Sequence, residues 1–180
     1  DAAPEGLRLS VNDLIIRACA LAIANFPNFN ASFQDNALVH HPQVNIGIAI
    51  ALEAGLIVAS IPNTQSLDLP GIARASSDLI NRAQSGALRA EEYTGATFAI
   101  SNLGMYDVDS FAAIIFPANA AVLAVGAVKE QPVVRDGRLE VGRIMKATIS
   151  VDHRVVDGAD GARFLQEVKR LLEHPALLLI

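Results

Sequence analysis

The sequence predicts an α/β chain, an α+β two-layer sandwich in which a mixed β-sheet is flanked by helices. Three observations carry this. Leu14, Ile15, Ala18, Leu21 and Ala22, and later Ala162, Leu165, Val168, Leu171 and Leu172, recur at the period of a helix with one buried face. Val44, Ile46, Ile48 and Ile50 alternate with Asn45, Gly47, Ala49 and Ala51, the two-residue period of a strand. Asp136-Gly137, set between two short extended runs, is a hairpin turn signal.

Taken in order, Ser10 with Asp13 resembles a capping box and opens a helix over about 11–25. A turn region at Phe26–Asn30 and short extended pieces follow, then the alternating strand. Glu53-Ala54-Gly55 can turn the chain into a partner strand, Leu56–Ile61, and residues 62–68 are polar punctuation. Pro70 sits where the first turn of a helix tolerates proline, and Leu69, Ile72, Ala73, Leu79, Ile80 and Ala83 mark one face of a helix over about 69–85, closed by Gly86. Thr97–Ser101, Ala112–Ile115, Ala120–Val128 and Arg143–Val151 read as extended, with Pro132–Arg135 and Arg138–Val141 as the hairpin arms. Gly158–Leu172 returns to helical spacing and ends near His174-Pro175, where His174 complements the helix dipole. The tail from Ala176 to Ile180 is apolar and expected to dock, either on its own core or on another subunit. No repeat, low-complexity tract or linker divides the 180 residues, which fits one domain.

Composition narrows the function classes. With 14 basic and 19 acidic side chains the net charge is −5, and no Lys/Arg cluster interleaves with aromatics, so the chain offers no footprint for nucleic acid. Hydrophobic residues make up 52%, yet no uninterrupted apolar run of about 18 residues is available to span a membrane. The single cysteine, Cys19, falls inside the first helical pattern as a small buried hydrophobe and fits a reducing compartment. The chain opens on Asp1 without an initiator Met or a signal-like segment, as a fragment or processed product would.

Two segments carry candidate chemistry. In Ser150-Val151-Asp152-His153-Arg154-Val155-Val156-Asp157-Gly158 a strand runs into a histidine, charged residues and a glycine before a helix. A neutral imidazole there can take a proton from a thiol or hydroxyl, with Asp152 or Asp157 fixing its tautomer or orientation; a histidine that only satisfies hydrogen bonds is the competing reading. In Thr97-Phe98-Ala99-Ile100-Ser101-Asn102-Leu103-Gly104 an apolar strand ends in a hydroxyl, an amide and a glycine. Ser101 could donate to an oxyanion, assisted by Asn102 or a backbone N–H beside Gly104, although Ser-Asn-x-Gly also makes an ordinary turn. The Gly-x-Ser-x-Gly elbow, nucleotide-binding glycine motifs and companion ligands for His40-His41 are missing from the sequence, so no metal is expected.

These residues carry a resemblance. Asp152-His153-Arg154-Val155-Val156-Asp157-Gly158-Ala159 closely resembles the His-Arg-x-x-Asp-Gly signature of the dihydrolipoyl acyltransferase cores of 2-oxoacid dehydrogenase complexes. Thr97-Phe98-x-Ile100-Ser101-Asn102-Leu103-Gly104-Met105 is similar to their second motif, in the form of the acetyltransferases of pyruvate dehydrogenase complexes. Ser10-Val11-Asn12-Asp13 and Gly55-Leu56-Ile57 fall where the family has related sequence, whereas Phe116-Pro117-Ala118 stands where Asn-Pro-Pro is usual and Ala59 where proline is common.

The resemblance covers residues 1–180 as the acyltransferase catalytic core, without the N-terminal part that the family's cores usually have. It implies a fold like that of chloramphenicol acetyltransferase, and homotrimers that assemble into a 24-mer or 60-mer core. The substrates it implies are coenzyme A (as acetyl-CoA) and the lipoyl group, transferring acetyl. It also implies contact with the decarboxylase and dihydrolipoamide dehydrogenase components through domains outside this sequence. His153 would be the general base, Ser101 of a neighbouring subunit the oxyanion donor and Asp157 a support for the loop, with Asn102, Gly104 and Arg154 binding substrate. The last residues would form a knob inserted into a neighbouring trimer. Succinyl or branched-chain acyl transfer and a non-catalytic core subunit are the competing readings; the compartment would be bacterial cytoplasm, or alternatively the mitochondrial matrix.

Overall fold

In a computed structural model, residues 8–53 and 55–179 are described; Ala54 of the expected turn and Ile180 of the tail lie outside them. Helix α1 (Val11–Asn25) starts where Ser10 caps it: the Asp13 N–H donates to Ser10 Oγ at 3.2 Å and the Ser10 N–H to Asp13 Oδ2 at 2.8 Å, a reciprocal capping box. Its apolar face buries Ile15, Ile16, Cys19 and Ile23. A 3₁₀ turn at Pro27–Asn30 leads into a hairpin of β1 (Ala31–Gln34) and β2 (Ala37–His40), reversed at Asp35-Asn36 with φ of 48° and 61°. Strands β3 (Ile46–Leu52) and β4 (Gly55–Ile61) pair antiparallel, so the expected strand pair is present, shifted by up to two residues. Helix α2 (Leu69–Gln84) is capped by Asp68, whose Oδ1 accepts the Gly71 N–H at 2.7 Å, and Gly86 beyond its end has φ of 68°.

A short helix α3 (Ala90–Thr94), not expected from the sequence, precedes β5 (Phe98–Asn102) and β6 (Ala121–Val125). The hairpin of β7 (Lys129–Arg135) and β8 (Arg138–Ile144) turns at Asp136-Gly137 as expected, with φ of 49° and 74°. Strand β9 (Ala147–Val151) and helix α4 (Gly158–Glu173) complete the order, followed by a 3₁₀ turn at Pro175–Leu179. His174 closes α4 with Nδ1 at 2.9 Å from the Arg170 carbonyl oxygen.

The five-stranded sheet has the order β4-β3-β5-β6-β9, with β3, β5 and β6 parallel and the two edges antiparallel. Strand β6 is buried at every position because both faces are covered. One face packs on the helices, where Phe29 and Phe164 stack at 4.2 Å beside Phe26 and Phe98. On the other, Ser150, the register partner of Val122, donates to the Ala113 carbonyl at 2.7 Å, so the chain between β5 and β6 lies across the sheet.

Two expected strands need correction. Ala112–Ile115 forms no strand: its backbone crosses the sheet face instead of joining an edge, and Ile114 is 90% exposed. Arg143–Val151 is not one strand, since the chain breaks at Met145-Lys146 and places β8 and β9 in different sheets. The tail divides residue by residue: Leu178 is buried in this chain's own core, while Leu179 is 66% exposed.

Candidate active site

His153 stands two residues beyond the end of β9 in a tight turn. The Val155 N–H donates to the Asp152 carbonyl at 2.9 Å, which puts His153 at the first corner position of the turn. The turn is tied on both sides: the Asp152 N–H donates to the Ala120 carbonyl at 2.8 Å, and Val155 and Val156 are buried. The His153 ring is exposed and has no hydrogen-bond partner among the described residues.

Neither aspartate holds that ring within the chain. Asp152 is occupied by Arg154, whose Nε donates to Oδ1 at 3.0 Å and Nη2 to Oδ2 at 2.7 Å. This hydrogen bonding keeps the Asp152 carboxyl below its usual range and the Arg154 guanidinium above its own. Asp157 is the N-cap residue of α4, yet its side chain makes no capping bond and remains exposed. The carboxylate is thus left available, at a helix N-terminus that favours its charge.

Ser101, the fourth residue of β5, is half-buried, and its hydroxyl has no hydrogen-bond partner among the described residues. Its neighbours are committed elsewhere. Asn102 Oδ1 accepts the Gly104 N–H at 2.8 Å, Asn102 Nδ2 donates to Asn12 Oδ1 at 3.3 Å, and the Leu103 N–H donates to the Val125 carbonyl at 3.0 Å. The Gly104 N–H is therefore satisfied locally. The same loop packs on Gly126 so closely that no Cβ fits there against the Asp109 carbonyl. It is also latched by Lys146 Nζ on Asp109 at 2.6 Å and Lys129 Nζ on Asp107 at 3.0 Å.

The register separates the two candidates. Ser101 pairs with Ala124 near the end of β6, whereas Val151, two residues before His153, pairs with Ala121 at its start. At the usual strand rise and spacing, Ser101 and Val151 are about 14 Å apart, diagonally across the sheet. A base and an oxyanion donor acting on one carbonyl must each come within about 3 Å of the reacting atoms. One chain therefore does not bring His153 and Ser101 together. His40 and His41 gain no companions either: among the described residues no group of three or more His, Cys, Asp or Glu could hold a metal. The Cys19 thiol, fully buried, is pushed well up by desolvation and is unsuited to nucleophilic work.

Two features escaped the sequence. Arg154, expected at substrate, lies with its guanidinium carbon 4.6 Å from the Phe33 ring centroid, and Phe33 belongs to a hairpin far away in sequence with no motif to mark it. The commitment of Asn102 to Asn12 likewise depends on the fold, although both residues lie in segments that carried the resemblance.

The mixed sheet with a histidine turn at one strand end defines a class: the chain superposes on chloramphenicol acetyltransferase with a TM-score of 0.62 at 19% identity, covering 91% of this chain and 78% of that one. At that identity the likeness shows the fold. The family model described as 2-oxoacid dehydrogenases acyltransferase (catalytic domain) matches residues 1–180, and the chain belongs to that family. It is 42% identical over 173 residues to the dihydrolipoyllysine-residue acetyltransferase component of the pyruvate dehydrogenase complex of Rickettsia felis, covering 96% of this chain. The chain spans 42% of the length of that relative. The dihydrolipoamide acetyltransferase of Azotobacter vinelandii, solved to investigate a serine, a histidine and an asparagine in its mechanism, superposes with a TM-score of 0.91 at 32% identity, covering 97% of this chain and 73% of that one.

Proposed function

We propose that this chain transfers an acetyl group between coenzyme A and dihydrolipoamide as the catalytic core of a pyruvate dehydrogenase complex. A ring nitrogen of His153 takes the proton of the incoming thiol, and the thiolate attacks the thioester carbonyl. The Ser101 hydroxyl of a second copy donates to the tetrahedral oxyanion; collapse expels the other thiolate, which recovers the proton from the imidazolium. Asp157 supports the loop that carries His153. No metal enters this chemistry.

The observation that carries this reading is the placement of Ser101 and His153, neither with a hydrogen-bond partner among the described residues, at opposite ends of one sheet, which fits each meeting its partner on a second copy. The Azotobacter protein supports it: the serine and histidine studied there are 52 residues apart and the asparagine follows the histidine by four, the spacing of Ser101, His153 and Asp157 here. A homotrimer that assembles further into a 24-mer or 60-mer supplies the second copy, and the decarboxylase and dihydrolipoamide dehydrogenase components are its proposed partners. Among the described residues no helix is long and apolar enough to cross a membrane, and the bacterial relatives support a cytoplasmic setting.

Subunit complementation tests this. His153→Ala and Ser101→Ala chains, each inactive alone, are co-assembled in equal amounts and assayed for acetyl transfer from acetyl-CoA to dihydrolipoamide. If each site takes one residue from each of two subunits, random mixing restores about a quarter of the normal activity. No restoration, with mixed assemblies demonstrated, contradicts the shared site.

A further inference from the structure

We propose that Phe33, Arg154 and Asp152 form a brace that sets the position of His153, so that Arg154 is a positioning residue and not a substrate contact. This rests on the reading of His153 as the general base. Arg154 makes four hydrogen bonds back onto one carboxylate: its backbone N–H reaches Asp152 Oδ1 at 3.0 Å, Nε reaches the same oxygen at 3.0 Å and Oδ2 at 3.2 Å, and Nη2 reaches Oδ2 at 2.7 Å. The planar fork fits the carboxylate bidentately, which an ammonium cannot do. The other side of the guanidinium lies over the Phe33 ring at 4.6 Å, within cation–π range.

The geometry spans three parts of the fold. Asp152 is tethered to the start of β6 through Ala120, Phe33 stands on β1 and packs against the apolar core, and Val155 and Val156 are buried beyond the turn. His153 is flanked directly by the two charged members of the brace, so the corner of the turn cannot shift without disturbing either the ion pair or the stack. With Nε and Nη2 spent on Asp152 and one face on Phe33, the guanidinium is held in place within the chain. This is the arrangement expected of a support, and a displacement of about 1 Å at a reacting group costs about a hundredfold in rate.

The test is made on the assembled protein with acetyl-CoA and dihydrolipoamide. Arg154→Met and Phe33→Leu are each expected to lower kcat tenfold to a hundredfold while KM for both substrates stays within twofold and the melting temperature barely moves. Phe33→Tyr, which keeps the aromatic face, restores kcat to near normal. In the double variant Phe33→Leu/Arg154→Met the losses do not multiply, because the two residues act as one device. A raised KM with unchanged kcat would show that Arg154 binds substrate and would overturn the brace, as would unchanged kinetics in both single variants. His153→Ala in the same assay separates the two levels: turnover surviving in it overturns the role of His153, whereas its loss alongside normal kcat in Arg154→Met overturns the brace alone.

Discussion

Asn102, which the resemblance implied at the substrate, bonds within the chain on both sides of its amide. By accepting the Gly104 N–H and donating to Asn12 it closes the turn after β5, while the Ser101 hydroxyl has no hydrogen-bond partner among the described residues. Losing a single oxyanion donor in a preorganised site costs about 10²–10³ in rate, and losing a general base about 10²–10⁴. Ser101→Ala is therefore expected to lower kcat by the first range and His153→Ala by the second, with folding unaffected because neither side chain is hydrogen-bonded among the described residues. Steady-state acetyl-transfer kinetics check both, and normal turnover in His153→Ala would refute the mechanism. The sequence marked Ser101 and His153 as candidates because each stands where a strand pattern gives way to polar residues and a glycine. It could not expose Phe33, whose contribution exists only after β1 folds back to Arg154.

At the scale of elements, α3 ties the end of α2 to the sheet through a buried carboxylate. Glu92 accepts Arg82 Nη1 at 2.6 Å, Arg82 Nη2 at 2.8 Å and the Arg89 N–H at 2.7 Å, and these bonds pull its carboxyl from 4.5 down to about 2. A carboxylate depressed on folding stabilises the protein above its unfolded value and loses that contribution as pH falls through the folded one. Glu92→Gln should thus melt at a lower temperature than the parent at pH 7, with the gap narrowing between pH 4.5 and 2. Melting curves across that range check it; a gap independent of pH would remove Glu92 from the acid response. Helix α3 was illegible because five residues without an apolar period, held by an ion pair from α2, carry no local signal. Ala112–Ile115 misled for the opposite reason: an apolar run looks the same whether it pairs at an edge or crosses a face. The capped helices α1 and α2 and the alternating β3 were legible because their signals are local.

At the scale of the whole molecule, the β7–β8 hairpin presents an exposed apolar face. Register places Pro132, Val134, Leu139 and Val141 on one face of the β7–β8 hairpin, and the last three are 72%, 76% and 75% exposed. A lone two-stranded hairpin is marginal in water, and a contiguous apolar face marks an interface, which in the proposed homotrimer another copy would fill. Val141→Asp is expected to preserve the fold of the chain while shifting sedimentation toward the single subunit and abolishing turnover; an unchanged mass would clear the hairpin of that role.

In the proposed assembly of trimers into a larger core, Leu178 and Leu179 of the tail would serve different ends. The Leu178 side chain belongs to its own core, and its carbonyl accepts Arg17 Nε at 3.2 Å, so Leu178→Ala should cost about 2–5 kcal/mol of stability as a cavity, read by denaturant titration. Leu179, 66% exposed, contributes little to that core. Removing the whole tail would confound folding with assembly, whereas Leu179→Ser should leave stability and trimers intact and abolish the large particle. A particle of full mass from Leu179→Ser would mean that trimers join through another surface.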